Sequence, residues 1–417
     1  MAEKLLDCEE VFGEQFVPSR SVERNSKALR RPFVISDVAR RQVDGVVEQS
    51  ALVDGFRLWF RFPRVAEEIR GEPWIAAALL PAMAAGRPLR IADSLSVSPK
   101  FLSGVSTIQR VTNAWNPAFQ KIALEVDRQA TVETSEGTGG FFAGGVDGTF
   151  TFLRHLEKLQ YVVILNGFDF QSDSATFVRT VERNRRFCTH FGKELLPVET
   201  NYYEFGTHHR ISRAASFGGL LASIALSLGS RTTYIASSYG YLDLPAQGSH
   251  PMLDHLWGTE SNWFIHDGAE IARTRKLEIV AQSREALENL HVCWRDPVEN
   301  CGTCVKCIRT MVSLRLLGHD ETRVFPQRLK LSDIGRMPIA SECARSFVAD
   351  NLQLAERVGD RAIATALRRH LWRYDARRLL VDADRILLGG SMQKLRKRLR
   401  PIPPEDAADI WPSAKGH

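Results

Sequence analysis

The sequence predicts an α/β protein built on an open parallel sheet of five strands, with an N-terminal α+β domain and a C-terminal helical lobe. Between residues 135 and 292, apolar runs of strand length alternate with segments of helical periodicity, which is typical of repeated β-α-β units. Glycines follow several of the strand-like runs, where the chain must turn into a helix. The chain has 417 residues, 44% of them apolar, which is ordinary composition for two or three globular domains.

The strands of this sheet are short apolar runs, each followed by a segment with helical spacing. The clearest run is YVVILNGFD, which is typical of a buried strand with a glycine turn at its end. Strands are predicted at 141–143, 161–169, 193–201 and 231–239, and helices at 149–159, 174–192 and 212–228. Right-handed connections would place these helices on both faces of the sheet. The apolar run 217–228 is too short to cross a bilayer, so we expect a core helix there.

Changes in composition divide the chain into five segments. These are a polar N-terminal arm (1–32), a small α+β domain (33–134), an α/β domain (135–292), a cysteine-rich segment (293–317) and a helical lobe with a basic tail (318–417). The glycine- and threonine-rich stretch 133–140 marks the boundary before the α/β domain. Strands in the small domain are predicted at 56–62, 88–94 and 120–127, and a helix at 74–85. The lobe is predicted from helical spacing over 343–358 and 362–388.

Charge and the N-terminal residues bear on location and partners. The first sixteen residues carry acidic side chains and no long apolar run, unlike a signal peptide. No stretch reaches the roughly 18 apolar residues that span a bilayer, so we expect a cytoplasmic protein without membrane contact. The net charge is +6, and the basic stretches 368–378 and 394–400 are better explained by a solvated helix face and tail than by a nucleic-acid surface. A small-molecule substrate is therefore favoured over nucleic acid, and the sequence is compatible with a homo-oligomer.

Four cysteines lie close together in the sequence CWRDPVENCGTCVKC. They are Cys293, Cys301, Cys304 and Cys307. Such clustering in a chain expected to be cytoplasmic indicates a metal rather than disulfides. Four thiolates complete a tetrahedral zinc shell with no open position, the structural type of site, and Gly302 allows the tight backbone that C-x-x-C spacing needs. An iron–sulfur cluster is the alternative. The remaining cysteines, Cys8, Cys188 and Cys343, are expected to be core or incidental residues.

A glycine-rich loop follows the first predicted strand of the sheet and leads into a helix. It comprises Ala143, Gly144, Gly145, Val146, Asp147, Gly148 and Thr149. Ligands of open parallel sheets bind beyond the carboxyl ends of the strands. Glycines there let the backbone approach an anion, and the helix N-terminus favours negative charge. The loop is therefore a candidate phosphate site, and a purely structural turn is the alternative.

The order of residues in this loop resembles the pyrophosphate loop of the N-type ATP pyrophosphatases, the PP-loop superfamily, whose pattern is S-G-G-x-D-S. Gly144, Gly145 and Asp147 match, whereas Ala143 and Gly148 stand where the family has serines. The resemblance implies a Rossmann-like sheet of the adenine nucleotide α-hydrolase type. It also implies ATP bound by the loop, and a catalytic aspartate at Asp147 that holds the pyrophosphate through Mg²⁺.

The two substitutions remove hydroxyl groups that could donate to phosphate oxygens. A hydrogen bond to a charged group contributes about 1.5–3 kcal/mol, so their loss bears on ATP turnover. The backbone amides of the loop remain. Thr149, one place after the second missing serine, could supply a replacement hydroxyl.

The cysteine segment resembles that of the 7-cyano-7-deazaguanine synthases, a PP-loop family with a structural zinc and a K-x-E-I-V stretch before it. Lys276, Glu278, Ile279 and Val280 match that stretch in TRKLEIVAQ. The resemblance covers about residues 139–317 and implies Zn²⁺ at the four cysteines and a catalytic lysine, Lys276, that neutralises phosphate charge. An exposed helix face is the alternative for Lys276 and Arg273. The N-terminal domain and the C-terminal lobe lie outside the resemblance.

Other candidate residues follow later strands of the predicted sheet. Gly167 and Phe168 come after the second strand, where PP-loop proteins pack the adenine, and an ordinary turn is the alternative. His250 and His266 lie in loop-like sequence and are considered for substrate contact, with a structural role favoured. No spacing among the histidines predicts a second metal site.

The resemblance implies an ATP-dependent enzyme that adenylates a carboxylate, amide or carbonyl of a small molecule and releases pyrophosphate. An amine, ammonia or a sulfur donor would then displace AMP. Two alternatives remain open. The missing serines also suit a catalytically degenerate relative that binds nucleotide or a biosynthetic intermediate, and the basic C-terminus suits a tRNA-modifying enzyme like the thiolation members of the superfamily.

Overall fold

The computed structural model describes residues 31–168, 174–320, 323–388 and 391. The chain divides into two compact units. Among these residues, the sheet unit comprises those up to Ala143, Asp147–Ser238 and Pro245–Ala269, and the helical unit comprises Gly144–Val146, Tyr239–Leu244 and those from Glu270 onward. The predicted basic stretch 394–400 and most of the predicted N-terminal arm lie outside the described residues.

Three antiparallel strands begin the sheet unit. They are β1 (Phe33–Val43), β2 (Val46–Val53) and β3 (Phe56–Phe62). Two-residue turns, Asp44-Gly45 and Asp54-Gly55, join them, and all four turn residues have positive φ. Asp-Gly suits these turns because both central residues must adopt the left-handed conformation. In β3, alternate side chains enter the core, which confirms the strand predicted at 56–62.

A buried helix and several short elements follow. They are α1 (Glu72–Ala85), β4 (Leu89–Ile91), β5 (Ser96–Val97), α2 (Pro99–Trp115), β6 (Leu124–Glu125) and β7 (Arg128–Gln129). Helix α1 confirms the helix predicted at 74–85, and its almost wholly apolar sequence is buried on nearly every side. It ends at Gly86, whose φ of 60° is the left-handed conformation that commonly closes a helix.

The second half of the sheet unit alternates strands and helices, as the sequence predicts. Its elements are β8 (Glu136–Phe141), α3 (Val146–Arg154), β9 (Tyr161–Asn166), α4 (Ser174–His190), β10 (Glu194–Thr200), α5 (Tyr202–His208), α6 (Arg213–Leu228), β11 (Ser230–Ala236) and β12 (Trp263–Asp267). A short 3-10 turn, Asp254–Trp257, precedes β12. These five strands pair in parallel in the order β12-β11-β8-β9-β10.

Both halves of the sheet unit share one ten-stranded sheet, in the order β12-β11-β8-β9-β10-β3-β2-β1-β4-β6. Strand β3 pairs antiparallel with β10 and so joins the two halves. Side chains extend this pairing, since the Thr200 hydroxyl donates to the Trp59 carbonyl at 2.7 Å and the Asn201 side chain accepts from the Trp59 N–H at 2.9 Å. The α/β class and a mostly parallel sheet are therefore confirmed. In the predicted N-terminal domain, β1 to β4 and β6 are continuous with that sheet, whereas β5 and β7 pair in a separate two-stranded sheet.

The glycine-rich stretch 133–140, read from the sequence as a boundary, instead contributes most of strand β8 in the middle of the sheet. Its glycines are explained by packing. A Cβ atom on Gly139 would lie 2.3 Å from the Cε2 atom of Tyr161, whose ring covers the strand from β9. Glycine is therefore required here for a close contact rather than for a turn, and the domain boundary stays a prediction.

Helix α6 is a core helix of the sheet unit, as predicted for the apolar run 217–228. It approaches α1 closely. A Cβ on Gly219 would lie 2.4 Å from the Ala76 carbonyl oxygen, and the Ser223 hydroxyl donates to the Pro73 carbonyl at 2.7 Å. Across the described residues, no helix combines the length and hydropathy that a membrane crossing requires.

The helical unit contains the later helices and the cysteine segment. The helices are α7 (Arg273–Val280), α8 (Arg284–Glu288), α9 (Val305–Leu316), α10 (Leu331–Ile334), α11 (Glu342–Val358) and α12 (Arg361–Leu388). The last two confirm the helices predicted at 343–358 and 362–388. They are joined by an ion pair in which the Arg345 guanidinium donates to both oxygens of Asp375, at 2.7 and 2.8 Å.

Candidate functional site

The four predicted cysteines form one cluster in the helical unit. Their Sγ atoms all lie within 4.8 Å of one another, and those of Cys301 and Cys307 are 4.0 Å apart. Two sulfurs on a tetrahedral zinc ion, with Zn–S bonds of about 2.3 Å, are separated by roughly 3.8 Å. Three of the four side chains are buried. The spacing therefore fits a closed thiolate shell, and the cluster could hold a metal ion such as zinc.

Backbone amides point at the sulfur atoms. The N–H groups of Arg295 and Asp296 both donate to Cys293 Sγ at 3.4 Å, and the N–H of Cys304 donates to Cys301 Sγ at 3.3 Å. Amide donors favour the charged form of a thiol, the form that binds a metal. The tight turns of the cysteine segment thus place the sulfurs and also favour the thiolate forms of Cys293 and Cys301.

Asn300, just before the C-x-x-C turn, hydrogen-bonds to four backbone groups around the cysteine segment. Its Oδ1 accepts from the N–H groups of Val292 and Cys293, at 2.8 and 3.1 Å. Its Nδ2 donates to the carbonyls of Leu290 and Val324, at 2.9 Å each. This buried side chain therefore ties the start of the segment to the backbone at Val324. The role of Asn300 is not evident from the sequence, in which it is only an asparagine directly before the C-x-x-C pair.

The four thiols also influence one another's protonation. Hydrogen bonds from Cys304 and Cys307 lower the pKa of Cys293. Hydrogen bonding with Cys293 raises the pKa of Cys304 to about 11 and also raises the pKa of Cys307. Contacts within the cluster therefore favour the loss of some of its thiol protons and oppose the loss of others. A divalent ion bound there would take the place of the thiol protons, because thiol ligands bind metal in the deprotonated form.

The glycine loop follows β8 at its carboxyl end and leads directly into α3. Strand β8 lies between β9 and β11, so the chain runs from β8 to a neighbour on one side and later reaches the neighbour on the other. Where strand order reverses in this way, open α/β sheets form the crevice in which ligands bind. The loop thus stands at the position in the sheet where a ligand is expected.

Gly144 has a conformational reason to be glycine. Its φ of 82° lies in the left-handed region that other residues rarely adopt, and its carbonyl accepts from the His291 N–H at 2.8 Å. Gly145 is less constrained, because a Cβ there would make only an ordinary contact of 3.8 Å with the His291 carbonyl oxygen. Ala143, at the first missing serine, is exposed.

The loop residues that begin α3 differ in how accessible they are. Asp147 lies half-buried in the first turn of the helix. Gly148, at the second missing serine, has room for a side chain, since a Cβ would be 3.4 Å from the Phe141 carbonyl oxygen. Thr149 is 1% exposed, and its Oγ1 has no hydrogen-bond partner among the described residues. A buried hydroxyl in that state costs about 1–3 kcal/mol, which an approaching acceptor atom would recover.

Val146, the last loop residue assigned to the helical unit, lines a small cleft in that unit. The other walls of the cleft come from α7, α9 and α11. Two arginines, Arg273 on α7 and Arg309 on α9, contribute to it together with Phe347 on α11. The guanidinium of Arg309 lies 4.0 Å from the centre of the Phe347 ring, and that of Arg273 lies 5.7 Å from it. The sequence analysis did not identify Arg309.

Lys276, the predicted catalytic lysine, is buried in the helical unit with 1% exposure. The exposed-face alternative is therefore wrong for this residue. The outward side of α7 is instead formed by Arg275, which pairs with Glu278 at 2.6 Å. A lysine is rarely buried without partners that offset the loss of hydration, so its burial is not explained by apolar packing alone. Contact with phosphate stays a prediction.

Gly167 and Phe168, the predicted adenine contacts, both have structural reasons to be there. Gly167 has a φ of 91°, and a Cβ would overlap the Thr200 carbonyl oxygen at 1.7 Å. Phe168 is buried and stacks on Phe217, with ring centres 5.3 Å apart. The turn alternative thus explains both residues, and the adenine contact stays a prediction.

His250 and His266 belong to a buried polar cluster of the sheet unit. The Nδ1 of His266 is 2.7 Å from Asp254 Oδ2, and the Ser249 hydroxyl donates to the same oxygen at 2.9 Å. Burial, with the neighbouring His266 adding to it, lowers the pKa of His250 to about 4. The ring of His250 meets Trp115 edge-on at 4.9 Å. These contacts support the structural role that the sequence favours.

Comparison with known proteins gives no further guide. No protein-family model, curated protein or solved structure matches the chain. The functional proposal below therefore depends on the residues and geometry of this chain.

Proposed function

We propose that this protein is an ATP-dependent enzyme of the PP-loop type, which adenylates a carboxylate, amide or carbonyl of a small molecule. An amine, ammonia or sulfur nucleophile would then displace AMP. One observation carries the proposal: the loop Ala143–Thr149 follows the central parallel strand where the strand order reverses. The parallel order β12-β11-β8-β9-β10 supports a Rossmann-like sheet of the adenine nucleotide α-hydrolase type as part of this proposal.

The loop offers a phosphate group three kinds of contact. Gly144 and Gly145 let backbone amides approach, and the N-terminus of α3 favours negative charge. Asp147, in the first turn of that helix, would hold Mg²⁺, a hard cation that prefers carboxylate oxygens. Thr149 would contribute its buried hydroxyl. In this proposal the lost serine hydroxyls weaken the loop without abolishing its binding of pyrophosphate.

Adenylation helps the reaction because it turns a poor oxygen leaving group into a good one. The protein then has to position the two substrates and neutralise charge as pyrophosphate departs. Lys276 would contribute to that neutralisation, as the resemblance implies. A small-molecule substrate and a cytoplasmic location remain predictions from the sequence.

Zn²⁺ is the metal we propose for the four cysteines. Four thiolates leave no open coordination position, so the ion would stabilise the fold of the helical unit rather than take part in the reaction. Metal analysis and the visible spectrum of purified protein would distinguish zinc from an iron–sulfur cluster, which is coloured.

The test of the enzyme proposal is the release of AMP and pyrophosphate from labelled ATP and Mg²⁺, with pools of small-molecule carboxylic acids and amides as acceptors. Asp147→Asn should lower the rate at least tenfold. Glu157→Gln, which neutralises an exposed carboxylate shortly after α3, is the matched control and should leave the rate unchanged. If wild-type protein releases neither product with any acceptor, the enzyme proposal is wrong.

A binding protein without turnover is the second candidate, and the residues at the two serine positions favour it. Ala143 and Gly148 cannot donate hydrogen bonds to a phosphate. Calorimetric titration with ATP and Mg²⁺ separates the candidates. Binding without product release, lost in Asp147→Asn, would support the second candidate and exclude the first.

A further inference from the structure

We propose that the cleft of the helical unit is a binding site for an oxyanion, with Arg273 and Arg309 as its cationic ligands. The chemistry recognised is that of a phosphate or a carboxylate group. This proposal rests on the proposed function for the source of the anion, which would be either the phosphates of the nucleotide or the carboxylate of the acceptor molecule.

The charges that line the cleft favour an anion. The charged residues that line the cleft are two arginines, Arg273 and Arg309, and one aspartate, Asp350. Asp350 is committed to another task at the start of α7, where its two oxygens accept from the N–H of Thr274 at 2.9 Å and from its hydroxyl at 2.7 Å. Cationic groups in a partly enclosed cleft focus the field on an incoming anion.

The arginines are held in place by aromatic packing. The centre of the Phe347 ring lies 4.0 Å from the guanidinium carbon of Arg309 and 5.7 Å from that of Arg273. The ring of Tyr239 packs on Phe347 in turn, with centres 5.2 Å apart. An arginine fork fixed in this way loses little rotamer entropy on binding and suits the two-oxygen geometry of a phosphate or carboxylate. The cleft is therefore built for an oxyanion before one arrives.

The location of the cleft connects it with the glycine loop. Val146 lines it, and Gly144–Val146 belong to the same compact unit as both arginines. The backbone of Gly144 is tied to this unit by the hydrogen bond from His291. Within this unit, the cleft therefore combines two cationic side chains with backbone of the loop.

The experiment is calorimetric titration of full-length protein with two probes, inorganic pyrophosphate and acetate. Arg273→Gln and Arg309→Gln should each weaken binding of the recognised probe at least tenfold, and raised salt should weaken wild-type binding. Arg275→Gln is the matched control, because this arginine lies on the same helix as Arg273 but faces outward to Glu278. It should bind like wild type. A preference for pyrophosphate indicates the nucleotide as the source, and a preference for acetate indicates the acceptor.

Folding of the variants is checked by metal content and by the thermal midpoint. If Arg309→Gln fails to fold, Arg309→Lys, which keeps the charge but not the fork, should fold and bind the probe more weakly than wild type. Wild-type protein that binds neither probe would overturn the proposal, as would variants that bind like wild type. Pyrophosphate binding without ATP turnover would contradict the proposed enzyme function but would still support the oxyanion site. Unchanged ATP turnover in both arginine variants would contradict the oxyanion site but would still support the enzyme function.

Discussion

The four-cysteine site and the glycine loop differ in how completely nearby residues supply the chemistry that each pattern implies. At the cysteine site all four ligands converge, with backbone amides and Asn300 behind them. In the loop the backbone turn at Gly144 is present, whereas two side-chain donors of the family pattern are absent. A closed metal shell is thus specified by one short segment. A ligand-binding loop depends on groups from distant parts of the chain, and local spacing cannot show them.

The largest expected effect is at the cysteine site. Changing Cys301 and Cys304 together to serine should lower metal content from about one ion per chain to near zero. The thermal midpoint should fall strongly, because metal binding contributes directly to the folding free energy of such segments. Cys343→Ser, in the same unit but outside the cluster, is the control and should keep its metal. Unchanged metal in the double variant would exclude this ligand set.

The next prediction is that acid lowers the stability of the protein through His250, a buried residue of the sheet unit. His250 is buried, and its pKa is lowered from 6.5 to about 4. Between these values the unfolded chain binds a proton that the native state does not. The free energy of unfolding should therefore be undiminished above pH 6.5 and fall as the pH drops towards 4, by on the order of 3 kcal/mol.

The variant for this test is His250→Asn, whose Oδ1 could accept the Met252 N–H that His250 Nδ1 accepts at 3.0 Å. Urea midpoints of wild type and variant, measured from pH 7.5 to 4.5 with metal content followed in parallel, should converge in acid. Parallel pH profiles for the two proteins would show that His250 does not carry the acid sensitivity.

Restoring the two missing serines tests whether the glycine loop binds phosphate. Ala143 is exposed and Gly148 has room for a side chain, so Ala143→Ser with Gly148→Ser should be accommodated. Each hydroxyl could add a hydrogen bond to a charged phosphate, so ATP affinity should rise by about tenfold or more. Ala383→Ser, at an exposed position of α12, is the control. No gain in calorimetric affinity would indicate that this loop does not contact phosphate.

The smallest effect separates the two glycines of the loop. Gly144→Ala must place a side chain at a φ of 82°, and should lower the free energy of unfolding by about 1 kcal/mol or more. Gly145→Ala, its matched neighbour, should cost less because a Cβ there makes only an ordinary contact and the residue has no positive φ. Urea denaturation of both variants would compare them. An equal cost would show that backbone conformation does not distinguish these positions.

Some strands were predictable because their burial shows in local sequence. The apolar run YVVILN identified β9, since a strand covered on both faces has few polar residues. Strand β8 was hidden because Tyr161 requires glycine at its centre. The hairpins of β1 to β3 could have been predicted from their Asp-Gly turns. The pairing of β3 with β10 joins residues about 140 positions apart, which no local pattern specifies.

The candidate sites show the same limit. The cysteine cluster was predictable because all four cysteines lie within one short segment of the sequence. Asn300 was not, because its importance comes from four backbone groups that only the folded chain brings to it. Arg309 was missed for a similar reason, since the ring of Phe347 that positions it lies on another helix. Local sequence could place Lys276 on a helix but could not show that it faces inward.

The pairing of β3 with β10 also determines how the chain can be cut for experiments. A fragment starting at residue 135 would retain β8 to β12 but leave one edge of β10 without its partner. Unpaired strand edges recruit other chains, so this fragment should elute as aggregates in size-exclusion chromatography, whereas the full chain should not. A monodisperse fragment would show that the junction is dispensable. The three N-terminal strands would thus protect the edge of β10 from pairing with other chains.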